Sequence, residues 1–357
     1  MRKIIAAPAV AAALLVVGCT QTGANTPGGN PAPADPKEAL AQAATNTGQG
    51  KDLTSTFRFD TTQEDLTKAM DAMNSTASAS PSSSSNKQMQ TTLAKVLPKL
   101  TMKVSMHSRG AELNHEKDPA NLDGAFQLAV DGKAVDLTWL EKRAFAKADV
   151  DGIGQATGLF TGDQVRMAAN DQASSKPWIT PLIDGKWVEL DSESVQKALQ
   201  QAQASASPQA TPTTDPAKVQ AAFMDNSEVT KVDDDTYKVV TDAKKLLPAL
   251  AAVDPNDKFT DEQAQDAVKK IKDGANLDTT VDLADGKISR VVVDLDDVAR
   301  TWPVTDGDAS ATKLAATDFH LDGVLEFNED NPNLTAPQPE ATIPASDLQQ
   351  LGGGTGR

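Results

Sequence analysis

Apolar and polar side chains alternate with a period of two along most of this chain. Leu53, Ser55, Phe57 and Phe59 fall on one side of a run whose other side is Thr54, Thr56, Arg58 and Asp60. Leu100, Met102, Val104 and Met106 repeat the period; so do Phe126, Leu128 and Val130, then Val135, Leu137 and Trp139. Later runs pair Val188 with Leu190, Tyr237 with Val239 and Val281 with Leu283. They continue with Val291, Val293 and Leu295, and close with Phe319, Leu321, Leu325 and Phe327. Successive side chains of a strand point to opposite faces, so each run predicts a strand dry on one face and wet on the other. That is the pattern of antiparallel sheet.

The turns agree. The tripeptide Asp-Gly-Lys occurs at 131–133, 184–186 and 285–287. Asp-Gly between alternating runs is a hairpin signal, because a type I′ turn needs positive φ at both central residues. Val232–Tyr237 reads as a further turn, 121–150 as a meander of three strands and 277–295 as one long hairpin. Helical spacing interrupts the strands at 37–45, at Gln63–Met73 and at Thr91–Leu97. Further helices are predicted from Asp191 or Ser192 to Gln203, from Pro216 to Met224 and over Lys244–Val253, which contains Pro248. Thr260-Asp-Glu-Gln is a capping box opening a helix to about Asp273, ended by Gly274. Many antiparallel strands with a few helices predict an α+β fold. No strand–helix–strand alternation with a Gly-rich loop appears, which argues against a doubly wound architecture.

The N-terminus has a different pattern. Arg2 and Lys3 precede a largely apolar run from Ile4 to Val17, too short to span a bilayer and of the length of a secretory h-region. Val16-Val17-Gly18-Cys19 then resembles the lipobox of bacterial lipoproteins, which implies cleavage after residue 18 and lipidation of Cys19. The alternative is a plain signal peptide with an incidental cysteine. Residues 19–36 read as a flexible tether, small, polar and rich in Pro and Gly. The tracts 74–86 and 203–216 lack core-forming residues and read as exposed loops, and 349–357 as a disordered tail. That leaves 37–348 as a single folded domain.

Composition narrows the function classes. Loss of Arg2 and Lys3 leaves 32 basic against 50 acidic side chains, a formal charge of −18. So acidic a surface argues against nucleic-acid partners and against adhesion to anionic headgroups. Cys19 is the only cysteine, so no internal disulfide forms, and no catalytic base accompanies it among His107, His115 and His320. Asp233–Asp235 and the group Asp294, Asp296 and Asp297 lack the spaced ladder of a calcium loop and read as solvated turns. His107 and His115 have no second His or Cys nearby for zinc. No G-x-S-x-G occurs, and Asp151–Gly158 ("DGIGQATG") lacks the lysine of a nucleotide loop and reads as a flexible loop. No metal, no cofactor and no enzymatic activity are expected. The Met and Phe stripe of the strands has two readings, a sheet face packed on helices or the lining of an acyl-chain cavity.

The order of parts carries a resemblance. A lipobox and tether lead to a helix at "PKEALAQAA" and a strand at "LTSTFRF". A meander follows, then "DGKWVEL", the long hairpin "TTVDLADGKISRVVVDL", and the closing "NLTAPQPEATIPASDL". This resembles the LolA-like actinobacterial lipoproteins of the LppX and LprG kind over most of 37–348. The resemblance implies a curved antiparallel half-barrel wrapped around several helices, anchored outside the cytoplasm to the cell membrane through Cys19. It implies a hydrophobic or lipid ligand and a role in lipid carriage. The candidate lining is Phe57, Phe59, Met102, Val104, Met106, Phe126, Leu128, Val130, Leu137 and Trp139. The alternative is a structural or protein-binding lipoprotein with a filled core.

Overall fold

The computed structural model describes residues 35–74, 83–113, 115, 116, 118–191, 216–253, 261–271, 273–301, 314 and 316–352. Cys19, the signal segment, nearly all of the tether and the helix expected up to Gln203 lie outside these. The fold is mixed α+β with a large, mostly antiparallel sheet. Its strands are β1 (Asp52–Thr61), β2 (Leu100–Ser108), β3 (Leu122–Val130), β4 (Lys133–Leu140), β5 (Arg143–Ala148) and β6 (Val188–Leu190). They continue with β7 (Ser227–Lys231), β8 (Thr236–Asp242), β9 (Asn276–Ala284), β10 (Lys287–Asp294), β11 (Leu321–Asn328) and β12 (Ala341–Ile343). The hydrogen-bonded order is β12-β6-β5-β4-β3-β2-β1-β11-β10-β9-β8-β7. Contacts divide the chain into two compact units. The first takes Phe57–Ala94, Pro208–Asn328 and the chain up to Gly50; the second takes Lys51–Thr56, Lys95–Ser207 and the chain from Glu329.

In the first unit α1 (Pro36–Thr47) is opened by Asp35, whose carboxylate accepts from the Lys37 amide at 2.8 Å, with Pro36 at the first helical position. Ala39, Leu40, Ala43 and Ala44 recur at helical spacing and are buried. They pack with Val239 of β8, Leu277 and Val281 of β9 and Ile288, Val291 and Val293 of β10. Phe223 of α7 (Pro216–Asp225) and Leu246 and Leu247 of α8 (Ala243–Val253) complete this core. Thr47 closes α1 against the sheet, its hydroxyl accepting from the Ile288 amide at 2.9 Å. A cavity of about 20 Å³, lined by Leu40, Ala44, Phe223, Val239, Val281 and Val291, is the space of a single water.

In the second unit β2 to β6 form a meander, and β12 joins β6 in parallel, an exception to the antiparallel expectation. Helices α4 (Val150–Thr157), α5 (Gly162–Ala173), α6 (Ile179–Ile183) and α11 (Ala345–Gly352) belong to it. Trp178, Ile179, Val188 and Ile343 make a compact cluster with Ala146, Ala169, Leu182 and Leu348. The buried Trp178 indole donates to Asp347 at 2.7 Å, so its polar edge is satisfied.

Several expectations are corrected. Asp151–Gly158 is not a loop: Asp149 accepts from the Gly152 amide at 2.9 Å and starts α4, and Gly158 at φ 70° ends it. Gly154 is tolerated inside that helix because the Phe160 backbone lies against it, 2.6 Å from where a Cβ would stand. The low-complexity tract 74–86 gives way to α3 (Ser83–Val96). Serine costs only a few tenths of a kcal/mol more than alanine in a helix, so a serine run extends a helix nucleated beside it. The sequence 184–186 makes no hairpin; Asp184 ends α6 and Gly185 follows at φ 72°. The tail begins later than residue 349, because α11 runs to Gly352.

Candidate functional site

The second unit presents an apolar face arranged by strand register. Met102 pairs with Leu128, Leu128 with Val135 and Val135 with Ala148, giving one row across β2 to β5. The next row is Val104, Phe126, Leu137, Ala146 and Val188. The third is Met106, Gly124, Trp139, Ala144 and Leu190. Residues two apart share a face, so all three rows are on the same side of the sheet. At the β6 end Val188 is fully buried among α6, Ile343 and Leu348. At the other end the first row is bare: Met102, Leu128 and Val135 are 37%, 39% and 39% exposed. Val104, Phe126, Leu137 and Trp139 are half-buried. The Trp139 indole lies across Gly124, where a side chain would overlap it.

Seven of the ten expected lining residues stand on this face: Met102, Val104, Met106, Phe126, Leu128, Leu137 and Trp139. Val130 points the same way but is buried, at 8% exposure, beside the tight Asp131-Gly132 turn, and so lines no open surface. Phe57 and Phe59 lie in the first unit, their rings edge to face at 5.0 Å, and Phe57 packs onto that unit's core. Val135, part of the same alternating run as Leu137 and Trp139, belongs to the face as well, although the candidate lining omitted it.

A second constellation lies in the first unit, where β10 runs into α10 (Leu295–Thr301). Asp294 stands opposite Asp322 in the β10–β11 register. The Asp294 carboxylate accepts from the Asp297 amide at 3.0 Å. Asp296 is buried and lies 2.9 Å from Arg300, whose guanidinium covers the Phe319 ring at 4.9 Å and donates to the Phe319 carbonyl. His320 Nε2 is 3.6 Å from Asp322. Burial raises the pKa of Asp294, and a hydrogen bond to Asp296 raises it further. Burial also raises Asp297 and Asp322, the former with help from the charge on Asp294 and the latter against the opposing pull of His320. The aspartates at 294, 296 and 297 were visible in the sequence as a group. His320 and Asp322, more than twenty residues later, join them only through strand pairing.

A third feature is an open groove of about 560 Å³ between α4 and α5, lined by Asp151, Gly154, Leu159, Phe160, Thr161 and Gln164. Thr161 and Gln164 form a reciprocal capping box that starts α5. Arg166 clasps Asp151 through two hydrogen bonds of 3.0 and 2.7 Å, which hold the Asp151 carboxyl below its ordinary value. The glycines here allow the two helices and their connection to approach closely. Nothing in the groove converges on a reacting atom.

Among the described residues no helix is long and apolar enough to cross a membrane. Comparison with protein-family models, with curated proteins and with solved structures finds no match.

Proposed function

We propose that this protein is a non-enzymatic, membrane-anchored envelope lipoprotein that binds a hydrophobic or lipid ligand on the apolar face of its second unit. The observation that carries this reading is the bare row Met102–Leu128–Val135 in mid-sheet. A folded sheet ordinarily covers such a row, and an uncovered apolar surface marks a place for a partner. An acyl chain laid over these rows would be desolvated at about 0.8 kcal/mol per methylene. Sulfur-containing Met102 and Met106 adapt to chains of differing shape. Discrimination by chain length would be loose, because each methylene contributes so little. In this reading the sheet is the curved half-barrel of the LolA-like lipoproteins and its helices sit inside the curve. The protein would hold lipids in transit through the envelope while Cys19 tethers it.

Two experiments bear on this. Leu128→Asp is expected to reduce binding of a fluorescent fatty-acid probe by at least about tenfold, because a charge replaces the centre of the row. Its thermal midpoint should change little, since Leu128 is already 39% exposed. Unchanged probe binding would remove the face from the function. Metabolic labelling with a fatty-acid analogue is expected to mark the wild type and leave Cys19→Ser unmarked; label retained in the variant refutes the anchor.

A second reading has its own support. In the first unit's core the cavity lined by Leu40, Phe223 and Val291 is about 20 Å³, too small for an acyl chain. A protein whose apolar face receives another protein fits that fact as well. Organic extraction of protein purified from its native membrane separates the two, since only the carrier brings lipid with it.

A further inference from the structure

We propose that Asp296, His320 and Asp322 form a binding site for a divalent first-row transition ion, independent of the apolar face. Their ligand atoms all lie within 4.8 Å of one another. They come from three points in the chain: the first turn of α10, the residue before β11 and the second residue of β11. Metal–ligand bonds of about 2.0–2.2 Å leave ligand atoms about 3–3.5 Å apart. The 3.6 Å between His320 Nε2 and Asp322 Oδ2 is therefore close to a bound separation, and Asp296 needs to close by little more than 1 Å. Asp294 stands beside Asp322 by register and offers a further oxygen.

The donor chemistry selects the ion. Carboxylates alone suit hard ions such as calcium and magnesium, whereas an imidazole beside two carboxylates suits zinc and its neighbours. His320 makes this more than a patch of acids. The surroundings also match a held ligand set. Arg300 lies 2.9 Å from one oxygen of Asp296 and is itself fixed by stacking on Phe319 and by the Phe319 carbonyl, so Asp296 is held in place beside the other two ligands. Among the described residues no lysine or arginine forms an ion pair within 4.0 Å of Asp294 or Asp322. Asp296 is buried while the His320 side chain is 54% exposed, which gives the ion a way in and leaves room for water ligands.

The test is calorimetric titration of the chelator-stripped full chain with ZnCl₂ at neutral pH. One equivalent is expected to bind, with a raised thermal midpoint and with no comparable response to CaCl₂. His320→Ala and Asp322→Asn are each expected to weaken binding by at least about tenfold. His320 is exposed and Asp322→Asn keeps the shape of its side chain, so the circular dichroism of these variants should match the wild type. His115→Ala is the control, because His115 pairs with Glu112 on the other unit's surface and should leave the titration unchanged. Absence of a stoichiometric site, a calcium response equal to that of zinc, or an unaltered titration in His320→Ala overturns the proposal.

Discussion

Phe145→Ala is expected to destabilise the second unit by about 3–5 kcal/mol, the range for deleting a fully buried phenyl ring. Among the described residues Phe145 is the largest side chain with essentially no exposure. It stands in the middle of β5, opposite Thr138 of β4 and Glu189 of β6, on the sheet face away from the apolar rows. The Arg143 guanidinium covers its ring at 4.9 Å and is held in turn by two hydrogen bonds to Glu189, of 2.8 and 2.9 Å. Truncation leaves a void and removes the surface on which Arg143 rests. The pair then has more freedom to lose on folding. Denaturant titration should show a lower midpoint with an unchanged slope. Phe145→Leu should recover part of the loss, because more of the site stays filled. A loss below about 1 kcal/mol would mean that the site collapses around the missing ring.

The same site sets an acid dependence. Arg143 holds the Glu189 carboxyl below its ordinary range. A carboxylate with a depressed folded pKa contributes stability above its unfolded value and loses it as pH falls through the folded one. The share from Glu189 is therefore complete at neutral pH and disappears below about pH 4. Glu189 and Arg143 lie near the surface, so solvent keeps this share well below the loss from the phenyl ring.

Phe145 also shows where the sequence falls silent. Its neighbours on that strand face are Arg143 and Lys147, and the opposite face carries Ala144, Ala146 and Ala148. Alternation therefore assigns the aromatic residue to the wet face. The alternating runs themselves were legible, because a period of two assigns each side chain to a face; the three rows across the strands needed the pairing of β2 to β6. The hairpins at Asp131-Gly132 and Asp285-Gly286 were legible for the same reason, and both pairs have positive φ. The turn at Glu141-Lys142 has φ of 50° and 70° with no glycine, so composition gives no sign of it. The capping box at Thr161 and Gln164 opens α5 just after the glycine-rich stretch Asp151–Gly158, whose glycines by themselves suggest a loop. The Asp296, His320 and Asp322 group needed the β10–β11 pairing, which no local spacing encodes.

Gly124→Ala is expected to cost about 1–3 kcal/mol and, under the proposed function, to weaken binding of a fluorescent fatty-acid probe along with it. The added Cβ would overlap Cζ2 of Trp139 and lie 2.8 Å from the Ser105 carbonyl oxygen. The indole can turn aside, but the carbonyl belongs to the β2–β3 ladder and has little room to yield. Against this, alanine in place of glycine restricts the unfolded chain and returns about 0.4–1 kcal/mol. The overlap is the larger effect, so the sign is unfavourable. Gly124 fills the place between Met106 and Trp139 in the third row, and the indole covers it as a lid covers a gap. Displacing the indole would break that row and remove the broadest apolar surface from the face. A double-mutant cycle with Trp139→Ala apportions the cost. If the indole is the main obstacle, Gly124→Ala should cost at least about 1 kcal/mol less in the Trp139→Ala background. Equal costs in the two backgrounds would place the whole penalty on the Ser105 carbonyl. Gly124 would then matter to the spacing of β2 and β3 and not to the apolar face.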